Sequence, residues 1–315
     1  MNSRQFQAIV SWVGCLATLL LSSQSFAEER VPDSRQLQTK IETTLASISG
    51  NPEVSIWFGS SKGQLWHARH EMRDMPSASA IKTFYLVELF SEYRESLDKP
   101  LPGAEAVLMG DMHPAISHFS DVQKLDIRKT LGGKSVRELG KIMMGSAPAS
   151  NAAYNAAANV ITTCLGGPEG LTKRIQKRDP AFTSVFVRRY MLRDRNENGD
   201  NETTAHSLAM LYLMLAQKEL PGVDRNTVEA IRSAMVRKGN PQTGFEYVKD
   251  GALNSDPLTR VQAGWKEFSD GSDPLIFVVM IRQMKPQDGV TRDAAGNALE
   301  RACTEIQKKL VSSVE

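Results

Sequence analysis

Ser79 and Lys82 stand three residues apart in the stretch MPSASAIKTFYLVELF, just before a run of mostly apolar residues. If a helix begins near Ser79, this spacing places both side chains on one face and within reach of each other. A serine hydroxyl is a weak nucleophile until a base takes its proton, and a lysine in a desolvated pocket can be that base. The pair therefore indicates acyl-transfer chemistry. The same residues also fit an ordinary helix start, with Ser77 or Ser79 as the N-cap and Lys82 in solvent.

The N-terminal residues 1–27 have the pattern of a secretory signal peptide. Arg4 precedes an apolar run from Ala8 to Leu21, and Ser25-Phe26-Ala27 fits a small-residue cleavage site. We expect cleavage after Ala27 and a periplasmic or secreted protein, because the run is too short for a comfortable membrane span. Cys15 raises the alternative of a lipoprotein, although Trp12-Val13-Gly14 before it makes a poor lipobox.

The composition is that of an ordinary globular protein, with 41% hydrophobic and 23% charged residues in 315 and a net charge of +2. We expect one domain over residues 28–315. The balanced charge and sparse aromatic residues argue against a nucleic-acid partner. Five histidines without an H-E-x-x-H motif or a Cys/His cluster argue against a zinc site. Cys164 and Cys303 could form a disulfide or remain buried free thiols.

Strand patterns lie near both ends of the chain, and helical patterns lie mostly between them. The strands are predicted at residues 53–58, 64–69, 260–264 and 275–282. The helices are predicted at residues 31–49, 79–90, 135–144, 156–165, 207–217, 226–237 and 297–311. Residues 100–134 are predicted to be irregular.

This order of elements predicts an α/β fold, more closely an α+β sandwich. One antiparallel sheet is built from both chain ends and flanked by helices, with an inserted all-helical lobe at about residues 90–225. A cleft between the lobe and the sheet edge is the natural place for a site. The helix that begins near Ser79 would lie at this junction.

Several motifs together resemble class A β-lactamases and penicillin-binding proteins. Ser79 and Lys82 match the S-x-x-K motif, and Asn155–Leu171 is similar, without a gap, to the family segment N-T-A-A-N-L-L-L-T-T-I-G-G-P-x-x-L. Thr203–Met210 resembles the family's T-T-P-x-x-M-A helix start. Val261–Trp265, followed by the strand LIFVVMI, resembles the K-T-G strand and its hairpin partner. The resemblance extends over nearly all of the mature chain.

The resemblance implies a β-lactamase-like serine hydrolase with Ser79 as the nucleophile, Lys82 as the general base and Asn155 as the group that orients the lysine and the substrate amide. The backbone N–H groups of Ser79 and Trp265 would form the oxyanion hole. The substrate would be a small β-lactam, a related amide or ester, or a cell-wall peptide. A β-lactam substrate would imply a role in β-lactam catabolism and antibiotic resistance. We expect a monomer without a cofactor, a metal, nucleic acid or a stable membrane span.

The second motif departs from the family pattern. The S-D-N turn is Ala153-Tyr154-Asn155 here, so the hydroxyl that would relay a proton to the leaving nitrogen is missing. Ser146 or Ser150 could supply a hydroxyl instead, and Ser150-Asn151 is a rival placement of the turn.

The third motif departs as well. Gln262 and Ala263 stand where the resemblance places the lysine and threonine of K-T-G. The cation that would hold a substrate carboxylate is therefore missing, although Arg260 and Lys266 lie close in sequence. Gln262, Gly264 and Trp265 remain the expected substrate contacts.

The Ω-loop is short. Asp194-Arg195-Asn196-Glu197 resembles the family's D-R-x-E and makes Glu197 the candidate base for a deacylating water, but only a few residues separate it from Thr203. A related branch of serine hydrolases has a similarly short segment without this glutamate. Two alternatives follow: an enzyme that acylates but hardly deacylates, and a degenerate penicillin-binding-like protein that binds cell-wall peptide or a protein partner.

Overall fold

The structure, a computed structural model, describes residues 31–314, and the predicted signal peptide lies outside the described residues. The helices are Ser34–Ala46 (α1), Lys82–Glu92 (α2), Ala104–Met109 (α3), Asp121–Leu131 (α4), Val136–Met144 (α5), Asn151–Cys164 (α6), Gly167–Arg178 (α7), Arg195–Asn198 (α8), Ala205–Gln217 (α9), Arg225–Ala234 (α10) and Arg292–Ser312 (α11). The strands are Glu53–Ser60 (β1), Leu65–Arg69 (β2), Met75–Pro76 (β3), Glu202–Thr203 (β4), Val236–Asn240 (β5), Gly244–Leu253 (β6), Leu258–Glu267 (β7) and Leu275–Gln283 (β8). The predicted helices and strands are present, with shifted ends.

Six strands form one antiparallel sheet in the order β2-β1-β8-β7-β6-β5. Strand β1 lies beside β8, with Glu53 opposite Arg282 and Ser60 opposite Leu275, so the sheet joins the two ends of the chain. Strands β3 and β4 pair separately as a short ribbon. The predicted fold class, an antiparallel sheet built from both chain ends and flanked by helices, is confirmed.

Apolar cores cover both faces of the sheet. On β8, Ile276 and Val278 belong to the core formed with the helices of the middle of the chain, while Phe277 and Ile281 pack with α1 and α11. Successive side chains of a strand point to opposite faces. The uninterrupted apolar run LIFVVMI is therefore what a strand buried on both faces requires.

Helix α2 lies inside the helical layer. Nine of its 11 residues are buried, as expected of a helix that is apolar nearly all round. A 3-10 turn at Ala78–Ile81 leads into it, and Lys82 is its first residue. The lysine side chain is fully buried, so the alternative of a solvated Lys82 is wrong.

Two segments differ from the prediction. Residues 100–134, expected to be irregular, contain α3 and α4, and Ser120 starts α4 through a capping box with Gln123. Residues 236–253 form β5 and β6, which the sequence pattern did not show. The charged residues Lys249 and Asp250 interrupt the apolar alternation of β6, so the sequence does not show the pattern of a half-buried strand.

Within residues 31–314, no helix is long and apolar enough to cross a membrane. Cys164 and Cys303 are free thiols. Burial raises the pKa of both, that of Cys164 to about 11, so neither is a reactive thiolate at neutral pH.

Candidate active site

Ser79 is half-buried in the 3-10 turn that leads into α2, where it lines a cavity. The preceding Ala78 has a φ of 46°, in the left-handed region that a residue with a Cβ rarely adopts. Ser77 anchors the turn, because its backbone N–H and its hydroxyl both donate to the carbonyl oxygen of Asn201 over 2.9 Å. Backbone strain held in place by its surroundings is typical of functional turns.

Lys82 is buried beside this turn, and its amine donates a 2.8 Å hydrogen bond to Oδ1 of Asn155. The nitrogen also lies 3.3 Å from the centroid of the Tyr154 ring. Burial lowers the pKa of Lys82 well below its usual value, and the charge of Lys249 lowers it further. Within the described part of the chain, the structure shows no direct hydrogen bond between Lys82 and Ser79.

Asn155 is held in place by the first turn of α6. Its amide nitrogen donates to the carbonyl oxygen of Asn151 at 2.9 Å and to the Oδ1 of Asn151 at 3.0 Å. These two bonds leave its amide oxygen for Lys82. The structure thus places Lys82 and Asn155 in direct contact, and Ser79 and Asn155 both line the cavity. The roles of nucleophile, base and orienting group stay predictions.

Neither substitute for the missing hydroxyl of the second motif reaches the site. Ser150 is the N-cap of α6, where its oxygen accepts from the N–H of Ala153 and its hydroxyl donates to Asp126. It does not line the cavity, so the expectation that Ser150 contacts substrate does not fit the geometry; Asn151 lines the cavity instead. Ser146 donates to main-chain carbonyls.

The strand beside Ser79 is β6. A Cβ added to Gly251 would lie 2.9 Å from the backbone nitrogen of Ser79, so glycine lets the strand approach the turn. The pairing of β6 with β5 ends at Val248, so residues 249–253 of β6 pair with β7 but not with β5. Lys249-Asp250-Gly251 therefore occupies the place that the sequence analysis gave to residues 262–264.

The expected substrate contacts Gln262, Gly264 and Trp265 lie elsewhere, because β7 is an interior strand between β6 and β8. Gln262 donates to the hydroxyl of Thr304 in α11. Trp265 is fully buried and stacks on Tyr247, with the ring centroids 4.4 Å apart. None of the three lines the cavity. The expectation placed the third motif one strand too far along the chain.

Residues 189–201 form one wall of the cavity. The buried Asp200 pairs with Arg189 at 2.7 Å and with Arg195 at 3.0 Å. Asn159 of α6 binds the main chain of Met191, whose N–H donates to Oδ1 at 2.6 Å and whose carbonyl accepts from Nδ2 at 3.2 Å. These contacts fix the wall to the helix that carries Asn155.

Glu197, the expected base for a deacylating water, does not line the cavity. It lies in α8, where its carboxylate pairs with Arg193 at 3.0 Å and its side chain is 53% exposed. The expected role does not fit this position. The nearly buried, apolar Met191 lies in the wall instead.

The cavity has a volume of about 630 Å³. The arginines that line it are each paired with Asp200 or Glu197. Asp250 lines it with a side chain that is 51% exposed and only 3.6 Å from Lys238. Among residues 31–314, no cluster of His, Cys, Asp or Glu side chains could hold a metal ion.

A protein-family model described as "Beta-lactamase enzyme family" matches residues 36–247, about two thirds of the chain. No curated protein matches the chain significantly.

Solved structures share the fold. A β-lactamase from Xanthomonas campestris is 17% identical, with a TM-score of 0.64 over 89% of this chain and 99% of that one. The TLA-1 extended-spectrum β-lactamase is 14% identical, with a TM-score of 0.63 over 88% of this chain and 99% of that one. A class A β-lactamase from Bacteroides cellulosilyticus is 13% identical, with a TM-score of 0.63 over 89% and 98% of the two chains.

Proposed function

Because the chain belongs to the β-lactamase enzyme family, we propose that it is an exported serine hydrolase in which Ser79 forms an acyl-enzyme with a β-lactam or a related amide or ester. The observation that carries the proposal is the buried amine of Lys82, held by Asn155 beside the nucleophile turn. A lysine whose pKa is lowered by burial is neutral more often than a solvated lysine, and the neutral amine is able to accept a proton.

In the proposed acylation, the amine of Lys82 takes the proton of Ser79 through a bridging water or after a side-chain rotation. The serine oxygen attacks the carbonyl carbon, and the backbone N–H of Ser79 is one donor to the oxyanion. With β6 beside the turn, the second donor becomes the N–H of Ala252, the residue after Gly251, in place of Trp265. The C–N bond then breaks, and the leaving nitrogen takes the proton from Lys82.

We expect this acyl-enzyme to persist. Met191 supplies no carboxylate at the cavity wall, and Glu197 is exposed and paired with Arg193. General-base help to the water is typically worth about 10²–10⁴-fold in rate. Deacylation without such help is the slow step of the proposed cycle.

A second function is a protein that binds cell-wall peptide and turns over nothing. Two observations favour it. Ala153 carries no hydroxyl to relay a proton, and within residues 31–314 no direct hydrogen bond joins Ser79 and Lys82. Intact-mass spectrometry with a penicillin, beside Ser79→Ala, separates the two functions. A persistent adduct on the wild type alone supports the hydrolase. Turnover without a detectable adduct contradicts slow deacylation. If the wild type shows no adduct and no turnover, the result favours the binding protein.

A further inference from the structure

The ring of Tyr154 lies close to two lysines of the site. The nitrogen of Lys82 is 3.3 Å from the ring centroid and that of Lys249 is 5.2 Å from it. Tyr154 also lines the cavity and is half-buried, whereas Lys82 is fully buried and does not line the cavity. Tyr154 therefore contacts both the cavity and the buried amine of Lys82.

Helix α6 is built to hold the ring there. Tyr154 directly precedes Asn155, and the two neighbours contact the same lysine nitrogen, one through a ring and one through an amide oxygen. Gly145, in the left-handed conformation after α5, backs the ring: a Cβ added to it would lie 3.5 Å from Cε2 of Tyr154.

We infer that Tyr154 is a positioning residue of the acylation step, whose ring shields the Lys82 amine from cavity water and holds it against Asn155. The inference rests on the proposed function. The described groups that act on the amine are Tyr154 and Asn155 from α6, at 3.3 Å and 2.8 Å, and Lys249 from β6 through its charge.

Two opposite effects of the ring must be weighed. A ring face attracts a cation, which favours the charged form of Lys82. Excluding water disfavours the charged form by up to about 3–5 units for a fully buried lysine. Burial is the larger cause of the lowered pKa of Lys82, ahead of the charge of Lys249. Opening the ring's place to water is therefore expected to raise this pKa.

The test is the pH dependence of acylation by a penicillin, followed by intact-mass spectrometry, in the wild type, Tyr154→Phe and Tyr154→Ala. Below the pKa of the base, the rate rises tenfold per pH unit. We expect the phenylalanine variant to keep the wild-type profile. In the alanine variant the profile should move up by about one unit or more, so that acylation is about tenfold slower at neutral pH and recovers at high pH. Tyr154→Gln also admits water and should show the same shift, so it replaces the alanine variant if that variant does not fold.

Three outcomes overturn the inference. An equal loss at every pH in the alanine or glutamine variant makes the ring merely structural. A phenylalanine variant as impaired as the alanine variant assigns the role to the phenol hydroxyl. An unchanged profile in all variants removes any role. Each of these requires that the wild type be acylated, whereas a wild type that forms no adduct and hydrolyses nothing removes the proposed function first, and this inference with it.

Discussion

Oδ1 of Asn155 accepts a 2.8 Å hydrogen bond from the amine of Lys82, and this bond ties α6 to the first residue of α2. The amide nitrogen of Asn155 is already bound to Asn151, so the oxygen is left for the lysine. Lys82 and Asn155 are 73 residues apart in sequence. Their contact holds the amine next to the turn that carries Ser79.

Asn155→Ala should weaken both the fold and the chemistry. It leaves the buried amine without its acceptor, which costs about 1–3 kcal/mol. We expect the free energy of unfolding in urea to fall by that amount and acylation by a penicillin to slow by about tenfold or more. Asn151→Ala, the matched control, keeps the bond to Lys82 and should have a smaller effect on both. Wild-type acylation in Asn155→Ala would remove the asparagine from the account.

Gly251→Ala should block acylation. The added Cβ would meet the Cβ of Ala78 and the backbone nitrogen of Ser79, each at 2.9 Å, so the nucleophile turn or the strand must shift. A misplacement of about 1 Å can cost about 10²-fold in rate. Gly140→Ala is the control, because its Cβ would meet the side chains of Phe90 and Leu86 in the core, at 2.6 and 2.9 Å. It should lower thermal stability and leave the acylation rate within a few-fold of the wild type; equal acylation in both variants would contradict the position of β6.

Glu197→Gln should leave the lifetime of the acyl-enzyme unchanged. Its carboxylate is exposed and paired with Arg193, and it does not line the cavity. The measurement is the decay of the adduct mass after excess penicillin is removed. Asn198→Gln in the same helix serves as the control for local disturbance. A lifetime that lengthens only in Glu197→Gln would restore the glutamate as the base for the deacylating water.

Asp250→Thr should favour substrates with a free carboxylate. Asp250 lines the cavity next to Gly251, which packs against the Ser79 turn, and its partner Lys238 is 3.6 Å away and exposed. Interactions between exposed charges amount to about 0.2–1 kcal/mol, so removing the repulsion between Asp250 and a substrate carboxylate should raise acylation by a penicillin about 1.4- to fivefold. Its methyl ester, which carries no carboxylate, is the control probe and should gain nothing. An equal gain for acid and ester would assign the effect to side-chain size.

Local spacing was enough to predict where several residues of the candidate site lie. Ser79 and Lys82 belong to one turn and the start of one helix, and Asn155 belongs to a long helical segment, so each could be placed from short-range patterns. Their meeting depends on α2 being buried, which its apolar composition indicates.

The third motif could not be placed in the same way. Two neighbouring strands each carry a glycine two residues after a long polar side chain, at Lys249 and at Gln262. Choosing between them needs the strand order, which is set by long-range pairing rather than by local pattern. The Lys-x-Gly spacing at residues 249–251 was the available signal. The cation–π contact of Tyr154 likewise depends on packing between α2 and α6 that no local pattern encodes.

The most direct test of the account is to locate the acyl group. After incubation with a penicillin, the protein is digested and the modified residue is identified by tandem mass spectrometry. We predict an adduct on Ser79 in the wild type and in Ser77→Ala, because the Ser77 hydroxyl only anchors the turn on Asn201. We predict no adduct in Ser79→Ala or Lys82→Met. An adduct on another residue, or labelling of Ser79→Ala at the wild-type rate, would contradict the assignment of Ser79 as the nucleophile.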